Sequence, residues 1–227
     1  MLRKKLLSSS VFQKYLMAMS GLGLVGFVIT HLLGNLLLYK ADGTAFNRYA
    51  FGLENLGTLL YIAEVGLLVI FVLHVVTAIG LSLHAKAARP EGYAVTQSKG
   101  GASKAGVSAS YMKWSGTILL IFTILHIIHF KYGASISEGY TTQIEGHEAR
   151  DLYRLVSESF HNVLYVVLYS GVMIFLGMHV RHGFWSAFQS LGAMNKKYSA
   201  PVYGMGLGLA ILLSVGFLGI PIWIYFH

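Results

Sequence analysis

Residues 17–38 read MAMSGLGLVGFVITHLLGNLLL, without one Asp, Glu, Lys or Arg. A run of this length matches the roughly 20 residues that a helix needs to cross a bilayer core. It is too long for a signal-peptide core and has no clear cleavage site, so it is read as structure. Four further runs follow, at about 59–83, 114–132, 162–186 and 203–226. In lipid the backbone must satisfy its own hydrogen bonds, and no ten-residue alternating segments suggest a barrel. The expected fold is all-α: one membrane domain over 1–227, a bundle of five transmembrane helices.

Composition agrees. Of the 227 residues 55% are hydrophobic and 11% charged, with mean hydropathy +0.62. Such numbers exclude a disordered chain. The absence of cysteine excludes disulfides, iron–sulfur ligation, thiolate-bound haem and covalent c-type haem. The net charge of +8 comes from an asymmetry. Arg3, Lys4, Lys5, Lys14, Lys86, Arg89, Lys99, Lys104, Lys113, Arg181, Lys196 and Lys197 fall on one side of a five-helix chain. Most acids fall on the other. The positive-inside rule puts the amino terminus in the cytoplasm and the carboxy terminus outside. No basic, aromatic-bearing soluble surface suggests nucleic-acid binding. The Gly/Ser/Lys-rich segment 86–113 is expected to be a flexible inner loop. The outer loop 133–161 is expected to carry a short helix from about Glu145 to Ser159.

Ten histidines are many for so apolar a chain, and ionisable groups inside membrane helices usually mark function. His147 and His227 lie outside the runs, and His84 and His161 at their edges. His31, His74, His126 and His179 lie well inside. An internal repeat singles out these four. Ser20-Gly21 precedes His31 and Ser115-Gly116 precedes His126, ten residues after the glycine in both. Gly66 precedes His74 and Gly171 precedes His179, eight residues before in both. Glycine lets a flat macrocycle or a neighbouring helix approach the backbone. At 1.5 Å per residue, His31 and His126 lie roughly 20–24 Å from the inner edge, and His74 and His179 roughly 10–17 Å. Two layers of paired neutral imidazoles are what two six-coordinate haems require. The expected pairs are His31–His126 for an outer haem and His74–His179 for an inner one.

Other polar groups are candidates of lower rank. His129 and His182 follow two of the histidines by three residues, near the same helix face. With Arg181 and Lys113 they are candidates for haem-propionate or quinone contacts, against ordinary packing and inner-surface charge. Glu64 lies near the outer end of the second run and could relay protons to a quinone or simply reach the interface. Glu54 and Asn55 are read as opening that same helix and sharing an outer quinone site. No residue is assigned a catalytic role. A membrane di-iron desaturase or hydroxylase is a second reading of the HIIH and HVRH segments, though its histidines should cluster on one face. A proton-relaying transporter would more naturally show broken helices.

The stretches MSGLGLVGFVITHLLGNLLLY, IFVLHVVTAIGLSLHAKAARP, WSGTILLIFTILHIIHF and MHVRHGFWSAFQSLG, around His31, His74, His126 and His179, resemble the cytochrome b558 subunit of succinate dehydrogenase and fumarate reductase. The resembled type is the single-subunit, five-helix, dihaem membrane anchor. The resemblance implies two haem b held by those four histidines. It also implies a flavoprotein and an iron–sulfur subunit on the cytoplasmic face of a bacterial membrane, and menaquinone as electron partner. Dicarboxylate chemistry would belong to another subunit. Dihaem cytochrome b anchors of hydrogenases or formate dehydrogenases are the near alternative. The repeat offsets and the FWSAFQSLG stretch favour the succinate side by resemblance.

Overall fold

The computed structural model describes residues 9–40, 42–88 and 111–227. Five of its helices are long and apolar enough to cross a membrane. They are α1 (Ser10–Asn35), α3 (Thr58–Ala87), α4 (Met112–His126), α6 (Val163–Ser190) and α7 (Ser199–Phe226). The protein is an all-α membrane bundle, with each run helical as expected. The helices outreach the apolar runs because their ends include polar residues, such as Gln13 and Lys14 on α1, that sit outside the hydrocarbon. The expected flexible segment 86–113 lies mostly outside the described residues, as do Arg3, Lys4 and Lys5.

Two helices change pitch. α1 tightens into a 3-10 turn over Leu36–Tyr39, and α4 widens into a π turn over Ile127–Lys131. The second change begins immediately after His126. π turns are rare and concentrate at functional positions.

α3 packs along α1, α4 along α6, and α1 against α6; α7 lies mainly on α6. α3 and α4 share no comparable interface, and α3 buries only Thr77. An ion pair between Glu64 of α3 and Lys131 of the π turn joins them at one end. The core proper is built by Leu32, Leu38, Phe46, Val156, Phe160, Val166, Tyr169, Val180, Leu213, Ile220 and Ile224. It therefore leans to the α1–α6–α7 side.

That same end carries a polar cap, which corrects two expectations. Residues 145–159 do not form one helix. Thr141–Ile144 (β1) and His147–Arg150 (β2) make an antiparallel hairpin, and only Leu152–Phe160 (α5) is helical. The hairpin turns on Glu145 and Gly146 at φ 53° and 82°, the left-handed pair that a two-residue loop needs to match strand twist. Asp151 then caps α5 by accepting from the Arg154 N–H at 3.0 Å. The second correction concerns Glu54 and Asn55. They do not open the second membrane helix. Glu54 is the last residue of an additional helix, α2 (Thr44–Glu54), and Asn55 is its C-cap. Gly57, at φ 53°, separates them from α3.

The cap is tied down by polar contacts. Asn47 of α2, 4% exposed, donates to Asp151 at 2.7 Å and accepts from the Tyr153 N–H at 2.8 Å. The Arg150 guanidinium donates to the carbonyls of Lys131, Gly133 and Ala134 at 3.3, 3.1 and 2.9 Å. Those carbonyls end and follow the π turn, where no further helix remains to satisfy them.

Candidate functional site

The four histidines lie on four helices: His31 on α1, His74 on α3, His126 on α4 and His179 on α6. The fold brings them together as two pairs. His31 and His126 meet edge to face with ring centroids 5.8 Å apart, and His74 and His179 with centroids 6.3 Å apart. The first pair lies toward the cap, shortly before the π turn. The second lies level with Ser20 and Ser115, near the opposite ends of α1 and α4. Eleven residues of α1 separate Ser20 from His31, or about 16 Å along the helix.

The pairs differ in their surroundings. His31 stacks on Phe27 at 5.4 Å and approaches Phe217 at 5.9 Å. His126 has Phe122, Phe130 and Tyr169 at 5.6, 5.3 and 6.0 Å. The walls there are aromatic, and the His126 Nδ1 is buried with no hydrogen-bond partner among the described residues.

At the other level each imidazole has a serine. Ser20 Oγ lies 3.3 Å from His74 Nδ1, and Ser115 Oγ 3.1 Å from His179 Nδ1. Ser20 also donates to the Leu16 carbonyl at 2.6 Å, and Ser115 to that of Met112 at 3.1 Å. With its single hydrogen so used, each hydroxyl accepts from the imidazole Nδ1–H. The tautomer then leaves Nε2 as the lone-pair nitrogen. The Met17 carbonyl is a further hydrogen-bond acceptor for the His74 ring. The adjoining glycines make this approach possible. A Cβ on Gly21 would lie 3.3 Å from His74 Cε1, and one on Gly116 3.4 Å from His179 Cε1. Space around Gly66 and Gly171 is open, so their matched spacing reflects no contact within the described residues.

These donor sets fit a metal held between two rings. Two metal–imidazole bonds of about 2.0 Å, as for zinc, plus a centroid-to-nitrogen distance of about 1.1 Å in each ring, put centroids about 6 Å apart. Among the described residues no group of three or more His, Cys, Asp or Glu could hold a metal. Two imidazole nitrogens would suit a haem iron, which needs few ligands from the protein. They do not suit a di-iron centre.

The lower-ranked residues are scattered. His129 is bound at both nitrogens: Tyr169 Oη lies 3.1 Å from Nδ1 and Ser159 Oγ 3.0 Å from Nε2. Ser159 donates to the Leu155 carbonyl at 2.6 Å. The chain therefore runs one way, from Tyr169 O–H to Nδ1 and from Nε2–H to Ser159. The π turn rotates His129 out of the α register assumed from the sequence and toward these partners. His182 Nδ1 is buried and without a hydrogen-bond partner among the described residues, with the ring 4.8 Å from that of Trp185. Arg181 and Lys113 are exposed and make no ion pair among the described residues. Glu64 is held by Lys131, and Glu54 and Asn55 end α2 on the cap side. Sequence reasoning missed the histidine-binding role of Ser20 and Ser115, although the Ser-Gly repeat carried that signal.

No family model, curated protein or solved structure matches the chain.

Proposed function

We propose that this chain is a dihaem cytochrome b, the quinone-reactive membrane anchor of a succinate dehydrogenase or fumarate reductase. The observation that carries the haem reading is the pair of cross-bundle imidazole couples, 5.8 and 6.3 Å between centroids, at two levels of one membrane bundle. His31 and His126 would hold the haem nearer the cap, and His74 and His179 the other. Bound haem would supply reversible one-electron chemistry. The protein's part is to fix the imidazoles, exclude water with aromatic walls, and set the distance between the two levels.

The succinate assignment rests on the resemblance of the four histidine-bearing stretches to the b558 family. In that reading the end opposite the cap faces the cytoplasm of a bacterium, as its positive charge suggests. The flavoprotein and iron–sulfur subunits dock there, and the basic segment 86–113 contributes to their surface. The two histidine levels would hold the haems, which would supply electron transfer between the iron–sulfur subunit and menaquinone. A quinone site at the cap end would draw on Glu64, Glu54 and Asn55, and on the Lys131 that pairs with Glu64.

The test is to purify the chain with whatever subunits accompany it, quantify haem, and record reduced spectra with and without succinate. Two b-type haems per chain, reducible by succinate through a co-purifying flavoprotein, are expected. Absence of any b-type band sinks the haem reading. Two haems on a chain accompanied by a hydrogenase or formate dehydrogenase subunit keeps the haems and moves the assignment.

A further inference from the structure

The Ser-Gly repeat does not serve the histidine that follows it in sequence. Ser20-Gly21 and Ser115-Gly116 stand ten residues ahead of His31 and His126, yet they touch His74 and His179. The same device thus occurs twice, on equivalent helices, and both copies act at one level. Among the described residues, the couple nearer the cap has no counterpart. Thr30 and Thr123, close to it in sequence, give their hydroxyls to the carbonyls of Phe27 and Leu119, and the Nδ1 of His126 has no partner among the described residues.

We propose that Ser20 and Ser115 are positioning residues that hold the two axial imidazoles of one haem, the His74–His179 haem, by accepting their Nδ1–H. This rests on the haem reading above. An imidazole whose Nδ1–H is bound is fixed in tautomer and rotation, and its Nε2 is a stronger donor to iron. Stronger donation favours the ferric state, so the serines lower the potential of that haem relative to one with unbound imidazoles. The glycines complete the cradle by leaving room for each ring beside the backbone. Four residues thereby make the two haems inequivalent, although the histidines themselves repeat almost symmetrically.

The experiment is a potentiometric titration of the purified complex, read haem by haem in the visible spectrum, with low-temperature EPR of the ferric state. The variants are Ser20→Ala, Ser115→Ala, the hydroxyl-retaining Ser20→Thr and Ser115→Thr, and Thr123→Ala as control. Each alanine variant is expected to shift the midpoint of the same haem upward and change its EPR signal, leaving the other haem unmoved. Threonine restores the wild-type values, and Thr123→Ala changes neither haem. If alanine costs a haem outright, both variants must lose the same one, identified by the spectrum that remains. Shifts or losses in different haems, or two haems with unmoved potentials in both alanine variants, overturn the inference and leave the haem reading standing. A wild-type complex without b-type haem removes the haem reading itself.

Discussion

His31 and His126 meet perpendicular to one another, 5.8 Å between ring centroids, at a point where α1 and α4 have no extensive interface of their own. Their meeting leaves the buried Nδ1 of His126 without a partner among the described residues, a cost that an apolar bundle has no reason to carry. Replacing either residue by alanine should remove one haem and leave the other. His74→Ala and His179→Ala should remove the opposite one. Reduced spectra of the four variants sort into two classes, 31 with 126 and 74 with 179. Any other grouping would falsify the pairing.

His129 has a different expectation. Both its nitrogens are bound within the protein, so His129→Leu should retain two haems. The Tyr169 hydroxyl, on a residue 7% exposed, loses its acceptor, a penalty of about 1–3 kcal/mol. The variant should show an unaltered haem spectrum and a lower Tm. Loss of a haem would make His129 part of the ligand set.

Asn47 joins the cap's two helices. Asn47→Ala removes two hydrogen bonds at a buried position and should cost about 1–3 kcal/mol. Asn47→Asp should cost more, because an oxygen then replaces the amide 2.7 Å from the Asp151 carboxylate. Thermal unfolding of the two variants checks the order. Equal stability would mean that Asp151 takes up a proton or moves away.

The cap should also loosen in acid. Hydrogen bonds from the Ser135 hydroxyl and N–H and from the Ser137 hydroxyl lower the Glu138 pKa from 4.5 to about 2. The folded form thus favours the ionised carboxylate. Its contribution is fully present above pH 4.5 and falls away as the pH drops toward 2. The Glu158 pKa is lowered in the same direction, by donation from Tyr140 and Arg154. Proteolysis of residues 133–140 by an acid-active protease should accelerate across that window, and Glu138→Gln should flatten the dependence. An unchanged profile in the variant would assign the loosening to other carboxylates.

The spans were legible because a bilayer imposes one length and one backbone solution on them. The cap was not. Residues 145–159 contain enough helix formers to suggest a single helix, and the hairpin turns on Glu145, an uncommon residue at positive φ. Only the following Gly146 announced the loop. α2 was hidden for another reason: its apolar face is short, and its key buried group is the polar Asn47. The two histidine levels followed from helix rise alone. Who holds the imidazoles did not, because Ser20 and His74 are 54 residues apart in sequence, and a repeat shows equivalence without showing contact.

The missing interface between α3 and α4 has an architectural consequence. Each half of the repeat, α1 with α3 and α4 with α6, brings one histidine to each level, and no couple lies within a half. Under the proposed function, the two macrocycles would act as rivets driven through both halves. Each helical hairpin would arrive with one imidazole already clasped by its own serine. Loading the cofactor and finishing the tertiary structure would then be one event, and a chain starved of haem would be a pair of half-proteins in search of a fastener.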